Sequence, residues 1–147
     1  DLRKFTKDDF AKYHPGGTLG KKLFLTVGAL SNQNQLPKVN PNSKIKDVII
    51  EISEKRLGFT AVIDKNKVIG VITDGDLRRM LSKTENISNL SAKDIMSTSP
   101  KTISTNAMAI EALKIMKANE ISQLIVEDEN KYAGVIHIHD LIREGIL

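Results

Sequence analysis

The stretch Val62-Ile63-Asp64-Lys65-Asn66-Lys67-Val68-Ile69-Gly70-Val71-Ile72-Thr73-Asp74-Gly75-Asp76-Leu77-Arg78-Arg79 returns 64 residues later as Val126-Glu127-Asp128-Glu129-Asn130-Lys131-Tyr132-Ala133-Gly134-Val135-Ile136-His137-Ile138-His139-Asp140-Leu141-Ile142-Arg143. Ten of the eighteen positions are identical, without a gap. Chance supplies about one, so the chain is read first as a duplication. Within each copy, apolar runs flank a polar turn. Thr60–Ile63 and Val68–Ile72 flank Asp64–Lys67, and Leu124–Val126 and Tyr132–His137 flank Asp128–Lys131. β-Branched runs bounded by Asp and Asn predict a hairpin in each copy.

The same offset extends upstream. Ile45, Val48, Ile49 and Ile52 stand at i, i+3, i+4 and i+7, and Ala109, Ala112, Leu113 and Met116 repeat that spacing. Each set draws one apolar stripe along a helix of about three turns. Ser43 is the expected N-cap of the first helix, and Thr105 or Asn106 that of the second. Short extended pieces at Lys38–Val39 and Thr102–Ile103 precede these helices. Short helices at Asp74–Leu81 and His139–Glu144 follow the hairpins. The order in each copy is β-α-β-β-α. One copy cannot bury a three-stranded sheet and two helices alone. Two copies packed sheet to sheet make one pseudo-symmetric α+β domain. The expected boundaries are residues 1–35 outside the repeat, 36–81 for the first copy, 82–93 for the linker and 94–147 for the second copy.

Composition narrows the function. The 147 residues include no cysteine, which excludes a disulfide scaffold, a thiol nucleophile and a Cys-ligated metal site. No apolar run approaches the ~18 residues of a membrane span, and nothing resembles a signal peptide. The chain begins with Asp rather than Met and is read as a piece of something longer. The net charge of +4 lies in residues 1–38, where seven Lys/Arg face three Asp/Glu; the remainder is neutral. Its basic residues are scattered without interleaved aromatics, so a nucleic-acid partner is not expected.

The junction after each second strand carries the candidate chemistry. Val68–Ile72 runs through Gly70 into Thr73-Asp74-Gly75-Asp76 and then a helix with Arg78 and Arg79. A Thr hydroxyl, backbone N–H groups at a helix start and close-approach glycines suit a phosphate. The Asp76 carboxylate suits a pair of ribose hydroxyls. Gly-x-x-Thr-x-x-Asp therefore reads as a nucleotide cradle, or equally as Thr73 or Asp74 capping a helix with Asp76 an ordinary first-turn acid. The second copy keeps Gly134 and Asp140 but has His137 and His139. A His can meet an anion when protonated or donate one hydrogen bond when neutral. His137, His139 and Asp140 lack a fourth ligand, and no metal is assigned to them.

The doubled β-α-β-β-α unit with its Gly-x-x-Thr-x-x-Asp junction resembles a tandem cystathionine-β-synthase (CBS) domain pair, or Bateman module, over about Leu36–Arg143. That resemblance implies two clefts that bind adenosyl or other nucleotides. Thr73 and Asp76 match phosphate- and ribose-contacting positions of one cleft. Asp140 matches in the other, where His137 departs from the usual Ser or Thr. The segment Asp9-Phe10-Ala11-Lys12-Tyr13-His14-Pro15-Gly16-Gly17-Thr18-Leu19-Gly20-Lys21-Lys22-Leu23 is similar to the exit of the sugar-isomerase (SIS) domain in arabinose-5-phosphate isomerases, which join SIS and CBS parts.

The resemblance implies a regulatory module rather than an enzyme for this chain alone. The parent would interconvert ribulose 5-phosphate and arabinose 5-phosphate in the cytoplasm, on the route to the lipopolysaccharide sugar Kdo, with His14 in its catalytic site. The implied ligand is a nucleotide or nucleotide sugar: CMP-Kdo, CMP, AMP or ATP. No cofactor is implied. The implied ligand-binding residues are Thr73, Asp74, Asp76, Arg78, Arg79, Lys101, Thr102, His137, His139 and Asp140. CBS pairs associate in twos, so a homodimer is expected, within a homotetrameric parent. Three other readings remain: a structural oligomerisation module with empty clefts, an autonomous isomerase, and an adenine-nucleotide sensor from another host protein.

Overall fold

The computed structural model describes residues 24–146, and the catalytic residue expected at His14 lies outside them. In chain order the elements are α1 (Val27–Ser31), β1 (Lys38–Val39), α2 (Ile45–Lys55), β2 (Phe59–Asp64), β3 (Lys67–Thr73), α3 (Asp74–Lys83), a 3-10 turn (Ile87–Asn89), α4 (Ala92–Ile95), β4 (Ser97–Thr98), β5 (Thr102–Ser104), α5 (Ala109–Asn119), β6 (Gln123–Asp128), β7 (Lys131–His137) and α6 (Ile138–Arg143). The predicted β-α-β-β-α order is present twice. β1 runs parallel to β2, which pairs antiparallel with β3; β5, β6 and β7 repeat that arrangement. The hairpin turns place Lys65 and Asn66, and again Glu129 and Asn130, at positive φ. That is the two-residue geometry whose twist matches the flanking strands.

Three apolar clusters hold the molecule together. Val48, Ile52, Val62 and Ile72 fill the first repeat. Leu113, Met116, Leu124 and Ile136 belong to the second. Leu57, Phe59 and Ala61 meet Ile125 and Val135 between the two sheets. This third cluster is the predicted sheet-to-sheet packing. The α5 stripe is buried as its spacing requires, whereas on α2 Ile49 stands at the edge of the buried face and is partly exposed. No helix among the described residues is long and apolar enough to cross a membrane.

An exchange of segments is invisible in the periodicity. α1 leads into the first repeat but packs on the second: the N–H groups of Val27 and Gly28 donate to the carbonyls of Ala107 and Thr105, at 2.8 and 2.9 Å, and Val27 and Leu30 join the second core. α4 leads into the second repeat but packs on the first: Ala92 and Lys93 donate to Ser43 and Pro41, both at 2.9 Å. β4 then adds a fourth strand beside β3. Each repeat is completed by the lead-in of the other. This also corrects the predicted caps. Lys44 and Met108 occupy the N-cap positions, without side-chain caps. Ser43 and Thr105 lend their carbonyls to the exchanged segments instead. The second short helix begins at Ile138 rather than His139, because His137 caps it.

The two matching glycines sit where the exchanged segments press closest. A Cβ on Gly70 would lie 2.7 Å from the Met96 sulfur and 2.8 Å from the Ser97 carbonyl oxygen; one on Gly134 would lie 3.2 Å from the Ser31 side chain. These glycines permit close contact within the fold, rather than making room for the ligand that the motif suggests.

Candidate functional site

At the β3–α3 junction the Thr73 hydroxyl accepts from the Asp76 N–H at 3.2 Å, and an Asp76 carboxylate oxygen accepts from the Thr73 N–H at 2.9 Å. This reciprocal capping box satisfies two N–H groups at the helix start. Asp76 is buried, pairs with Arg79 and accepts from Ser97 of β4 at 3.2 Å. The β7–α6 junction repeats the design. Asp140 accepts from the His137 N–H at 2.8 Å and pairs with Arg143. Asn34, on the lead-in to β1, donates to Asp140 at 2.7 Å and to the Val135 carbonyl at 2.8 Å. Ser97 and Asn34 are thus equivalent latches, each tying an exchanged segment to a buried carboxylate of the opposite repeat.

A cavity of about 300 Å³ opens beside the second junction. Its walls come from three places: the Gln33–Gln35 lead-in, the end of α2 with Lys55, Arg56 and Leu57, and the start of α6 with His137, His139, Asp140 and Arg143. Gln123 of β6 donates to the Leu57 carbonyl at 3.0 Å and so fixes the α2 end against the second repeat. Arg56 is the C-cap of α2 in the left-handed conformation, φ 59° and ψ 28°. Lys55 contacts Glu51 at 3.4 Å, one turn back.

The His137 Nδ1 accepts from the His139 N–H at 3.0 Å, so the neutral ring carries its hydrogen on Nε2 as a donor. The two imidazoles stack with centroids 4.5 Å apart. Burial chiefly, and the neighbouring His139 next, hold His137 below the usual histidine range, with Asp140 opposing. The folded state therefore favours neutral His137. Its contribution to stability is complete above the unfolded value near 6.5 and declines as pH falls below it toward the lowered folded value. The urea midpoint should drop between about pH 7.5 and pH 5.5. His137→Asn, which keeps a capping side chain, should make that drop shallower. An equal slope in both proteins would show that His137 is not its source.

The expected residues divide into groups. Thr73, Asp76 and Arg79 meet at the start of α3, and His137, His139 and Asp140 at the start of α6. Asp74 and Arg78 are exposed on α3, and Asp74 donates its N–H to the Gly58 carbonyl at 3.2 Å. Lys101 and Thr102 are exposed at the start of β5. None of Thr73, Asp74, Arg78, Lys101 and Thr102 lines the 300 Å³ cavity. Sequence reasoning missed its wall at Lys55, Arg56 and the Gln33–Gln35 lead-in. Among the described residues no group of three or more His, Cys, Asp or Glu is placed to hold a metal ion.

The profile of the CBS domain family matches residues 27–83 and 92–146. Arabinose 5-phosphate isomerase KdsD of Yersinia pestis is 36% identical over 147 residues, covering 99% of this chain and 45% of that protein. The chain therefore spans about half the length of the curated relatives it matches. The crystal structure of the CBS domain NE2398 superposes with a TM-score of 0.75 at 19% identity, over 83% of this chain and 98% of that one. The crystal structure of CBSX2 in complex with AMP superposes with a TM-score of 0.68 at 26% identity, over 83% and 96%.

Proposed function

The chain belongs to the CBS domain family, and we propose that it is the ligand-sensing pair of a longer arabinose-5-phosphate isomerase. The observation that carries this reading is the cavity walled by both repeats and by the lead-in between them. A ligand seated there touches the end of α2, the start of α6 and the segment at Gln33–Gln35, which connects to the upstream residues. Occupancy favours one arrangement of these three and so one exit of the chain toward the catalytic part. The identity to KdsD supports the isomerase as host, and the AMP bound by CBSX2 supports a nucleotide as ligand.

The proposed ligand is a nucleotide or nucleotide sugar, with CMP-Kdo, the activated end product of the host's route, as the feedback candidate. His14, in the upstream segment, belongs to the catalytic site of the intact protein, which acts in the cytoplasm as a tetramer assembled from CBS-paired dimers. Isothermal titration of the chain with AMP, ATP, CMP and CMP-Kdo tests the reading. Saturable heat is expected with at least one of the four. Absence of heat with all four at millimolar concentration would overturn it.

A further inference from the structure

The pseudo-two-fold repeat allows the two inter-repeat clefts to be compared position by position. In the cleft that holds the 300 Å³ cavity, Lys55, Arg56 and Arg143 provide three fixed cations, and Asp140 is the carboxylate. Asp140 is occupied by Arg143, Asn34 and the His137 N–H, and Lys55 is partly offset by Glu51. Arg56 is an exposed residue at the cavity wall, and its side chain has no ion-pair or hydrogen-bond partner among the described residues. The same positions 64 residues away read Asn119 for Lys55, Glu120 for Arg56 and Arg79 for Arg143, with Asp76 for Asp140. The four matched positions thus supply one cation and two carboxylates, in place of three cations and one carboxylate.

The decisive pair is Arg56 and Glu120. Both are C-caps of the long helix of their repeat, and both adopt the left-handed conformation, with φ 59° and 53°. Their side chains leave equivalent backbone positions with opposite charge. His137 reinforces the contrast, because its Nδ1 is committed to the backbone and its Nε2–H is the donor. The equivalent Thr73 exchanges its hydrogen bonds with Asp76.

We infer that the two clefts are chemically divided: the cleft at Arg56 and His137 seats the phosphate group of a small phosphorylated metabolite, and the cleft at Glu120 and Thr73 rejects it. Arg56 sets this preference as an unpaired guanidinium, the side chain best shaped to grip phosphate oxygens in pairs. Glu120 places like charge against the same group. The division rests on the sensing role proposed above and reverses the assignment that the Gly-x-x-Thr-x-x-Asp motif suggests, which favours Thr73.

The test repeats the titrations with AMP, ATP, CMP and CMP-Kdo on the wild-type chain, Arg56→Glu and Glu120→Gln. The Arg56→Glu chain should fold, since Glu120 already occupies that backbone conformation in the other repeat. Its affinity for the tightest-binding probe should fall about tenfold or more, while Glu120→Gln should bind at least as tightly as wild type. Amide NMR shifts on titration should centre on Arg56, His137 and Arg143. Wild-type affinity in Arg56→Glu, or shifts centred on Thr73 and Glu120, would overturn the division while leaving the sensing role intact. No binding of any probe to the wild-type chain would overturn both.

Discussion

Replacing Phe59 by Ala is expected to destabilise the chain by about 3–5 kcal/mol, the usual cost of emptying a packed aromatic site. Phe59 is 3% exposed and sits at the start of β2, in the cluster shared with Ile125 and Val135 of the other repeat. The loss is a large share of the ~5–15 kcal/mol that holds a domain of this size. Because the cluster joins the two sheets, the variant should also lose the inter-repeat cavity and with it any ligand response. Phe24→Ala provides the contrast. That ring is 75% exposed, and its removal should change stability by no more than about 0.5 kcal/mol. Urea unfolding followed by circular dichroism measures both. Equal effects would show that the sheets do not depend on this contact.

Asp140→Ala is expected to cost about 2–4 kcal/mol, the sum of a lost cap and a stranded buried donor. The carboxylate is 2% exposed and accepts from the His137 N–H and the Asn34 side chain. Its ion pair with Arg143 adds little, because that guanidinium is 54% exposed and screened by water. Asn34 keeps its second acceptor at the Val135 carbonyl, so the stranded group is the His137 N–H. Arg143→Ala should therefore stay within about 1 kcal/mol of wild type. Urea midpoints for the two variants separate the capping role from the ion pair. If Arg143→Ala proved as costly as Asp140→Ala, the buried network would not be the source.

The sheets, hairpins and helical stripes are legible in the sequence because the duplication prints each of them twice. Ten matching side chains across one offset are enough to identify the hairpin pair. The exchange of α1 and α4 is not legible. Both helices are too short to show a period, and their equivalent residues, Val27 and Ala92, fall 65 rather than 64 apart. The motif residues Thr73 and Asp76 stand out, yet spacing alone does not say whether they face a ligand or each other. Lys55 and Arg56 escape notice because more than 80 residues separate them from His137. One signal is present: directly after each long helix, the aligned repeats exchange Arg56 for Glu120, a reversal of charge at a matched position.

The most direct measurement is a crystal structure of the chain grown with the nucleotide that binds it most tightly. Ligand density between Arg56 and His137, its phosphate within hydrogen-bond distance of both, is the predicted result. Density held elsewhere on the surface, or a saturated protein whose inter-repeat cavity stays vacant, would contradict the account.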